Sequence, residues 1–301
     1  MTAAAAGDLR DRHGEGVMLA LAGGFALSIG GVILRLIESA DGWTVMFYRG
    51  VFFSLTVMLV LAVRRRGAFL ASYRTLGWDG IAIAFCLGVG LIAYVFAMLL
   101  TTVANVNFVT GSSPLLTAFL AWVVLGERLS LRAWAILCLA MVGVGVMVVD
   151  GIAGGRFWGN VVALAAALTY AVFVILLRRR HGSDMLAATS LAGFIAAALS
   201  LPMVETLALT PRDFMLCALL GCVQTGLGFT FITFASRRIP AAEVTLLALT
   251  ETVFGPVWAW LIAGEVPTWP TVSGGIVVLG CVAAYALVGL GRRPAAVPPP
   301  G

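Results

Sequence analysis

Glu251 is the strongest candidate for a functional residue, because it is an ionisable side chain near the middle of an apolar stretch between residues 241 and 263. If this stretch crosses a membrane, an ionised carboxylate at its centre costs at least about 2.5 kcal/mol, so the side chain should face a cavity or a partner. Glu251 could then contact a substrate amine or carry a coupling proton. The alternative is a structural carboxylate that is hydrogen-bonded between helices.

Arg49 is a second charge inside an apolar stretch, a few residues from the start of the run 44–63. A long side chain so close to the end of a span can reach the lipid headgroups, and membrane anchoring is the preferred interpretation. Two alternatives remain open. One is an ion pair with Glu38 or Asp41, and the other is a charge at the mouth of a cavity that attracts carboxylates.

Uncharged polar side chains recur in other apolar stretches and could face an interior. Asn107 and Gln224 matter most, because an amide in lipid needs several hydrogen-bond partners and can recognise a zwitterion. Hydroxyl groups are weaker indicators, since they often bond back to helix carbonyls. The hydroxyl candidates are Ser28, Thr110, Ser112, Ser113, Thr169 and Thr225.

Aromatic residues in the same stretches could form a wall for a hydrophobic substrate, although ordinary packing is the alternative. These residues are Tyr94, Tyr170, Phe85 and Trp258. From all these sets, the predicted substrate or coupling site comprises Glu251, Gln224, Asn107, Tyr94, Tyr170, Thr169 and Ser28.

Prolines and glycines predict bends and close contacts within the apolar stretches. Pro114 and Pro256 each leave a carbonyl without its helical partner one turn back and can kink a helix. A GxG pair, which suits tight packing or a hinge, occurs twice, at Gly88, Gly90, Gly226 and Gly228. No strand precedes either pair and no GK[ST] follows it, so a phosphate-binding loop is not predicted.

Catalytic and metal chemistry finds little support in the sequence. The two histidines, His13 and His181, lie outside the apolar stretches, and the five cysteines show no CxxC spacing. No Ser-His-Asp set, metal motif or cofactor motif can be assembled from them. An integral membrane enzyme of lipid metabolism is therefore the weaker competing class, and no cofactor, metal or disulfide is predicted.

The elements that must hold these residues follow from composition. The chain has 301 residues, of which 61% are hydrophobic and only 11% are charged, more apolar surface than a soluble core needs. A bilayer span takes roughly 20 residues. The apolar runs predict an all-α polytopic membrane protein with ten transmembrane helices, near residues 17–37, 44–63, 80–100, 106–125, 132–149, 157–177, 185–204, 213–235, 241–263 and 270–290.

The arginines test this segmentation, because positive charge concentrates in cytoplasmic loops. All 19 basic residues are arginine. Alternate loops and both termini receive Arg10, Arg12, Arg64, Arg65, Arg66, Arg74, Arg128, Arg132, Arg178, Arg179, Arg180, Arg237, Arg238, Arg292 and Arg293, whereas the opposite loops receive Arg156 and Arg212. The pattern predicts a multi-pass protein of a bacterial inner (plasma) membrane with both termini cytoplasmic. Short basic runs without interleaved aromatics do not predict nucleic-acid binding.

An internal repeat relates the two halves of the chain. A shift of 138 residues superposes Trp122 on Trp260, Gly126 on Gly264, Glu127 on Glu265 and Ser130 on Thr268, and the first GxG pair on the second. The repeated glycines of the Gly-Glu pairs are expected to end helices and the acids to cap or latch the following turn.

A repeat unit of five spans, an odd number, inserts its second copy upside down, and such inverted repeats are typical of secondary transporters. The predicted boundaries are a cytoplasmic N-terminal tail at 1–15, a first five-helix repeat at 16–150, a second inverted repeat at 151–291 and a cytoplasmic Pro-rich tail at 292–301.

Two segments carry a family resemblance: SSPLLTAFLAWVVLGERLSLRAWAILCLAMVGVGVM and IPAAEVTLLALTETVFGPVWAWLIAGEVPTWPTVSGGIVVLGCVAAY. Together with FYRG around Arg49 and the stretch GNVVALAAALTYAVFVILLRRR, they resemble the paired signature of EamA-type drug/metabolite transporters from about Gly16 to Leu290. The resemblance implies ten helices and a central cavity lined mainly by helices 1, 3, 4, 6, 8 and 9. It also implies export of amino acids, related metabolites or drugs, and the aromatic amino acid exporters are similar to this chain.

One departure from the family pattern concerns the ninth helix. Many relatives carry Glu-Pro there, whereas this chain has Glu251 followed by Thr252, with a proline only at Pro256. The shape of the ninth helix is therefore expected to differ.

The preferred hypothesis is a secondary transporter that exports small metabolites, amino acids above all and aromatic or hydrophobic ones in particular, by alternating access. A flippase or a multidrug exporter of amphipathic substrates is the alternative with the same fold. The expected partners are a small-molecule substrate and the lipid bilayer.

Overall fold

A computed structural model describes residues 3–65, 67, 69–126, 131–179, 185–235, 238–239 and 247–290 of the chain. Over these residues the secondary structure is helical and contains no strand. The helices that form the bundle are α1 (Ala3–Ser28, continued by Gly30–Arg35), α2 (Gly42–Arg65), α3 (Gly77–Leu100), α4 (Val103–Thr110 and Ser113–Leu125), α5 (Leu131–Ala153), α6 (Phe157–Arg179), α7 (Met185–Ser200), α8 (Pro211–Leu219, Leu220–Leu227 and Gly228–Ala235), α9 (Thr250–Ala263) and α10 (Trp269–Leu290).

Helix lengths match the thickness of a bilayer. Within the described residues, seven helices are long and apolar enough to cross a membrane, and α5 and α10 contribute shorter apolar stretches, Trp134–Asp150 and Trp269–Ala284. The described part of α9 has 14 residues. The ten predicted transmembrane helices and the all-α fold are confirmed, and α1 extends further back than predicted, to Ala3.

Gly126 and Gly264 end α4 and α9 in the same way. Each has a left-handed backbone, with φ of 69° and 68°, and each donates its N–H to a carbonyl in the last turn of the helix. Only glycine adopts this conformation without steric cost, which explains why both positions of the repeat carry it. Glu127, the acid that follows Gly126, lies outside the described residues.

The two halves interlock through pairs of equivalent helices. Helix α2 crosses α7, and α5 crosses α10. Both crossings occur where glycines meet backbone to backbone, because a Cβ added at Gly193 would lie 2.7 Å from the carbonyl oxygen of Gly50 and one at Gly274 equally close to that of Gly143. Small residues allow such close helix approach inside a bilayer, where dispersion contacts hold helices together.

Several helices are interrupted at similar depth. A turn at Ile29 divides α1, Gly111 and Ser112 divide α4 just before Pro114, and α8 widens into a π-helix over Leu220–Leu227. In the ninth span a turn falls at Leu249, the position equivalent to Gly111 in the repeat, whereas α9 continues without a break through Pro256. The interruption in this span therefore lies seven residues before the proline from which the sequence predicts it.

Two faces of the bundle can be distinguished by their loops. The face formed by residues 36–41, 101–102, 154–156, 201–210 and 264–268 is called the Arg-poor face, and the opposite face is called the Arg-rich face. Contacts between distant loops agree with this grouping: Glu38 pairs with Arg212 on the Arg-poor face, and Glu15 pairs with Arg238 on the Arg-rich face.

Candidate functional site

The central site begins with Glu251, in the first turn of α9 after the interruption at Leu249. Its Oε1 atom accepts a 3.2 Å hydrogen bond from the hydroxyl of Tyr94 on α3. The same hydroxyl lies 3.5 Å from Oδ1 of Asn107, on the first segment of α4. Tyr94 therefore joins an acid of the second half to an amide of the first half.

Arg49 is buried beside this group, with only 3% of its surface exposed. Its Nε donates to Oγ1 of Thr225 at 3.1 Å, and Nη2 donates to Oε1 of Gln224 at 3.4 Å. The guanidinium carbon lies 5.7 Å from the ring centroid of Tyr94, within the range of a cation–π contact. Arg49 thus contacts one end of the tyrosine while Glu251 contacts the other.

The prediction that Arg49 reaches the headgroups as an anchor is wrong, because the side chain is buried. The alternative of an ion pair with Glu38 or Asp41 is not found among the described contacts either. Helix α2 packs mainly against α7 and α8, so a residue near its end still points into protein. Of the two acids, Glu38 pairs with Arg212, and Asp41 accepts a hydrogen bond from the backbone N–H of Thr44.

Neither Arg49 nor Glu251 occurs among the direct ion pairs that the structure describes. Tyr94 occupies the position between them. A pair of opposite charges held apart in this way keeps capacity for further partners, whereas a closed salt bridge would not.

Gln224 lies in the π-helical segment of α8 and is almost completely buried. Its Oε1 accepts from the hydroxyl of Thr225 at 2.7 Å, and its Nε2 donates to the carbonyl of Leu27 at 3.1 Å, just before the turn that divides α1. π-segments often occur at functional sites, and here the segment places two polar side chains toward Arg49.

Ser28 completes the contact between α1 and α9. Its hydroxyl donates to the carbonyl of Phe25 at 2.7 Å and accepts a 3.1 Å hydrogen bond from Nε1 of Trp258. Gly255 faces Asn107 so closely that a Cβ there would lie 1.9 Å from the amide nitrogen. The broken helices α1, α4, α8 and α9 therefore meet around one polar cluster, where irregular backbone is tolerated at membrane depth.

The cavity inside this cluster is small in the present conformation. Arg49, Tyr94 and Gln224 line it together with Gly30 and Leu34, and its volume is about 10 Å³. This is room for roughly one water molecule. A substrate can enter only if the surrounding helices move apart.

Among the described residues, no hydrogen bond joins the other predicted side chains to the cluster. Thr169 on α6 bonds back to the carbonyls of Ala165 and Ala166, and Tyr170 is 38% exposed and packs near Phe173. Phe85 is 51% exposed. Helix α2 supplies a central residue in addition to the helices that the family resemblance implies. The hydroxyl of Thr169 bonds within α6, and its carbonyl accepts from the thiol of Cys86 on α3 at 3.2 Å.

The GxG glycines pack tightly at equivalent contacts of the two halves. A Cβ at Gly88 would meet α7 at the carbonyl of Ala192, and one at Gly226 would meet α2 at Thr56. Gly90 faces Thr169, and Gly228 faces Leu27. Close packing is therefore evident, while a hinge role for these glycines stays a prediction.

Sequence reasoning did not predict an ion pair that joins the two halves at the Arg-poor face. Nε of Arg35 lies 3.1 Å from Oε2 of Glu265, and Nη2 of Arg35 donates to the carbonyl of Thr101 at 2.6 Å. The other oxygen of Glu265 accepts the first N–H of α4, from Val103, at 2.7 Å. The repeated Gly-Glu pair signalled a capping role, but the helix that is capped is α4 of the other half.

The comparisons with known proteins can now be set against this geometry. The sequence profile described as the EamA-like transporter family matches residues 14–149 and again residues 155–287. The chain belongs to this family. The double match agrees with the repeat, and membership identifies a multi-pass membrane transporter.

Two similar proteins agree with the assignment, and one solved structure shares the fold. The EamA-like chain is 24% identical over 281 residues to the pseudopaline exporter CntI of Pseudomonas aeruginosa, which covers 89% of this chain and 95% of the relative. It is 23% identical over 294 residues to human solute carrier family 35 member G1, with 88% and 77% covered. A solved structure titled "Crystal structure of protein" superposes with a TM-score of 0.66 at 16% identity, covering 91% of this chain and 96% of the other, and shows the shared fold.

Substitution of Glu265 by Gln in this EamA-like protein should lower its thermal stability. The change removes the ion pair with Arg35 and weakens the cap on α4, which together contribute about 1–2 kcal/mol in a half-buried setting. We expect the apparent melting temperature in detergent to fall by about 2–6 °C. Glu38→Gln is the matched control, because its pair with Arg212 is exposed and should contribute little. Equal melting temperatures for the two variants would show that Glu265 does not latch this face.

Proposed function

We propose that the protein is a secondary transporter that exports small zwitterionic metabolites, amino acids above all, by alternating access. The observation that carries the proposal is the separation of Arg49 from Glu251 by Tyr94 among broken helices. A guanidinium binds carboxylates in a fork of parallel hydrogen bonds, and a carboxylate binds ammonium groups. Their opposite charges on either side of one tyrosine are complementary to a molecule that carries both groups.

Export is supported by the similarity to CntI, which is named as an exporter of pseudopaline. The arginine pattern supports a bacterial inner membrane with both termini in the cytoplasm, so that the Arg-rich face is the side of uptake and the Arg-poor face is the side of release. The closed central cavity fits a cycle in which the helices part first toward one face and then toward the other.

The neighbouring aromatic side chains support a preference for aromatic or hydrophobic amino acids. The ring of Trp258 lies 5.9 Å from that of Phe25 and 6.1 Å from that of Phe254, and the indole N–H is fixed by Ser28. Tyr94 adds a further ring beside the two charges. Aromatic pairs of this kind favour a flat apolar side chain.

Counterflow into proteoliposomes tests the proposal with compounds that differ by one group. L-Phenylalanine carries both groups, phenethylamine lacks the carboxylate, and 3-phenylpropionate lacks the amine. We expect flux of phenylalanine at least tenfold above that of either analogue, because each analogue leaves one buried charge without a partner, at a cost of about 1.4 kcal/mol or more. Equal flux of all three would favour a multidrug exporter, and flux of a fluorescent phospholipid in their place would favour a flippase.

A further inference from the structure

A second cavity opens at the Arg-poor face, with a volume of about 620 Å³. It lies between the end of α1, the end of α3 and the loops at residues 101–102 and 154–156, and its charged lining residues are Arg35, Arg156 and Glu265. We call it the outer cavity. Two guanidinium groups and one carboxylate therefore face it.

The position of this charge is unusual for the face on which it occurs. The loops of the Arg-poor face carry Arg156 and Arg212, against fifteen arginines on the opposite side. Arg212 is exposed and paired with Glu38, whereas Arg156 and Arg35 both line the outer cavity. Arginines are rare on this face, as expected for a non-cytoplasmic side, and yet two of them line the same cavity.

The two arginines differ in how many of their N–H groups have a hydrogen-bond or ion-pair partner. Arg35 is held by Glu265 and by the carbonyl of Thr101. Arg156 has only a loose ion pair, with 3.7 Å between its Nη2 and Oδ2 of Asp150, and that oxygen already accepts a 2.7 Å hydrogen bond from Thr268. Among the described side chains, Nε of Arg156 is the buried nitrogen without a hydrogen-bond partner. The Nε atom is itself inaccessible, but the side chain of Arg156 is 29% exposed and lines the outer cavity, so its weakly paired guanidinium can accept a further anionic partner there.

The outer cavity continues the route that starts at the central site. Leu34 lines the central cavity and Arg35, the next residue of α1, lines the outer one. On α3, Tyr94 and Val95 line the first cavity and Leu99 lines the second, and five helical residues from Tyr94 to Leu99 span about 7.5 Å. The barrier between the two cavities is thus only about one and a half helical turns thick.

We propose that the outer cavity is a second binding site, in which Arg156 holds the carboxylate of a small organic acid or amino acid as it passes between the central site and the Arg-poor face. The guanidinium of Arg156 lines the outer cavity and can bind a carboxylate through its accessible nitrogens, and Arg35 adds a second positive charge nearby. The ligand class rests on the proposed function, because it takes the substrate to carry a carboxylate. The site itself rests on the cavity and on Arg156.

Arginine modification tests the site without relying on transport. Purified full-length protein is treated with p-hydroxyphenylglyoxal, and the adducts on Arg156 and Arg212 are quantified by mass spectrometry. N-acetylglycine is the probe, and N-acetylglycinamide, which has the same size but no charge, is the control at equal ionic strength. We expect N-acetylglycine to slow the modification of Arg156 at least threefold and to leave Arg212, which lies outside the outer cavity, unchanged.

A second measurement uses counterflow, with Arg156→Gln compared with Arg212→Gln. The Arg156 variant should raise the KM for phenylalanine presented at the Arg-poor face about threefold or more, while the KM at the Arg-rich face and the melting temperature stay the same. Equal protection of both arginines, or equal protection by the amide, would overturn the proposal. If no amino acid is transported but Arg156 is still protected by the carboxylate, the proposed function fails and the outer site stands.

Discussion

Glu251→Gln should reduce transport at least about thirty-fold while the protein still folds. Gln keeps the acceptor that Tyr94 bonds to but removes the charge, so the partner of a substrate amine and the carrier of a coupling proton are both lost. Loss of one partner from a desolvated charge pair costs about 2 kcal/mol or more, which corresponds to this factor. Counterflow of phenylalanine in proteoliposomes measures it.

The matched control for this variant is Glu38→Gln, an equal change of charge on an exposed side chain of the Arg-poor face. It should transport at the wild-type rate. Tyr94→Phe separates the hydrogen bond from the charge, because it removes the hydroxyl and keeps the ring against Arg49; an intermediate loss is expected. Unchanged transport in Glu251→Gln, with normal yield, would show that the acid has a structural role only.

Gly193→Ala should leave most of the expressed molecules without a stable fold. The new Cβ would lie 2.4 Å from Oγ of Ser54 and 2.7 Å from the carbonyl oxygen of Gly50, so α7 would have to move away from α2. Overpacking of this kind costs about 1–3 kcal/mol, and backbone atoms relax less readily than the ends of side chains. We expect a sharp fall in the monodisperse peak on size-exclusion chromatography and a lower apparent melting temperature.

Gly280→Ala provides the comparison, because it makes the same change inside a helix where no neighbouring atom lies within 4 Å of the new Cβ. It should fold with at least wild-type stability, since alanine favours a helix over glycine. If the two alanine variants behave alike, the α2–α7 crossing does not depend on glycine.

The sequence was sufficient to find most of the central site because polar groups in apolar stretches have few reasons to occur. Glu251, Asn107 and Gln224 were predicted on that ground and meet around Tyr94 and Arg49. Whether these residues bind substrate stays a prediction. The transmembrane helices were also predicted from the sequence, since length and apolar content alone define a span.

The surroundings of the Arg49 side chain could not be predicted in the same way. Its depth along α2 suggested a headgroup contact, but the environment of a side chain depends on the helices packed beside it, and α8 is about 175 positions away in the chain. The pairing of Arg35 with Glu265 was missed for the same reason, because it joins residues 230 positions apart. Hydropathy gives the order of the spans along the chain and the depth of each residue within its span, but no information on which spans are lateral neighbours.

The interruptions were only partly predictable from proline. Pro114 follows the break in α4, but the turn at Leu249 and the π-segment of α8 contain no proline, and α9 runs through Pro256. At these interruptions hydroxyl groups donate to carbonyls of their own helix, Ser28 to Phe25, Thr225 to Leu220 and Thr250 to Leu247, and such bonds compete with the regular hydrogen bonds of the helix.

The interruptions also make the two halves unequal in shape. Helix α1 is divided at Ile29 where its counterpart α6 is continuous, and α8 contains a π-segment where its counterpart α3 is a regular helix. One repeated pattern of residues thus adopts a straight form in one copy and a bent form in the other, within a single molecule. If the copies exchange forms during the cycle, each helix adopts a shape that its counterpart already holds, and the energetic difference between the two end states of the cycle stays small.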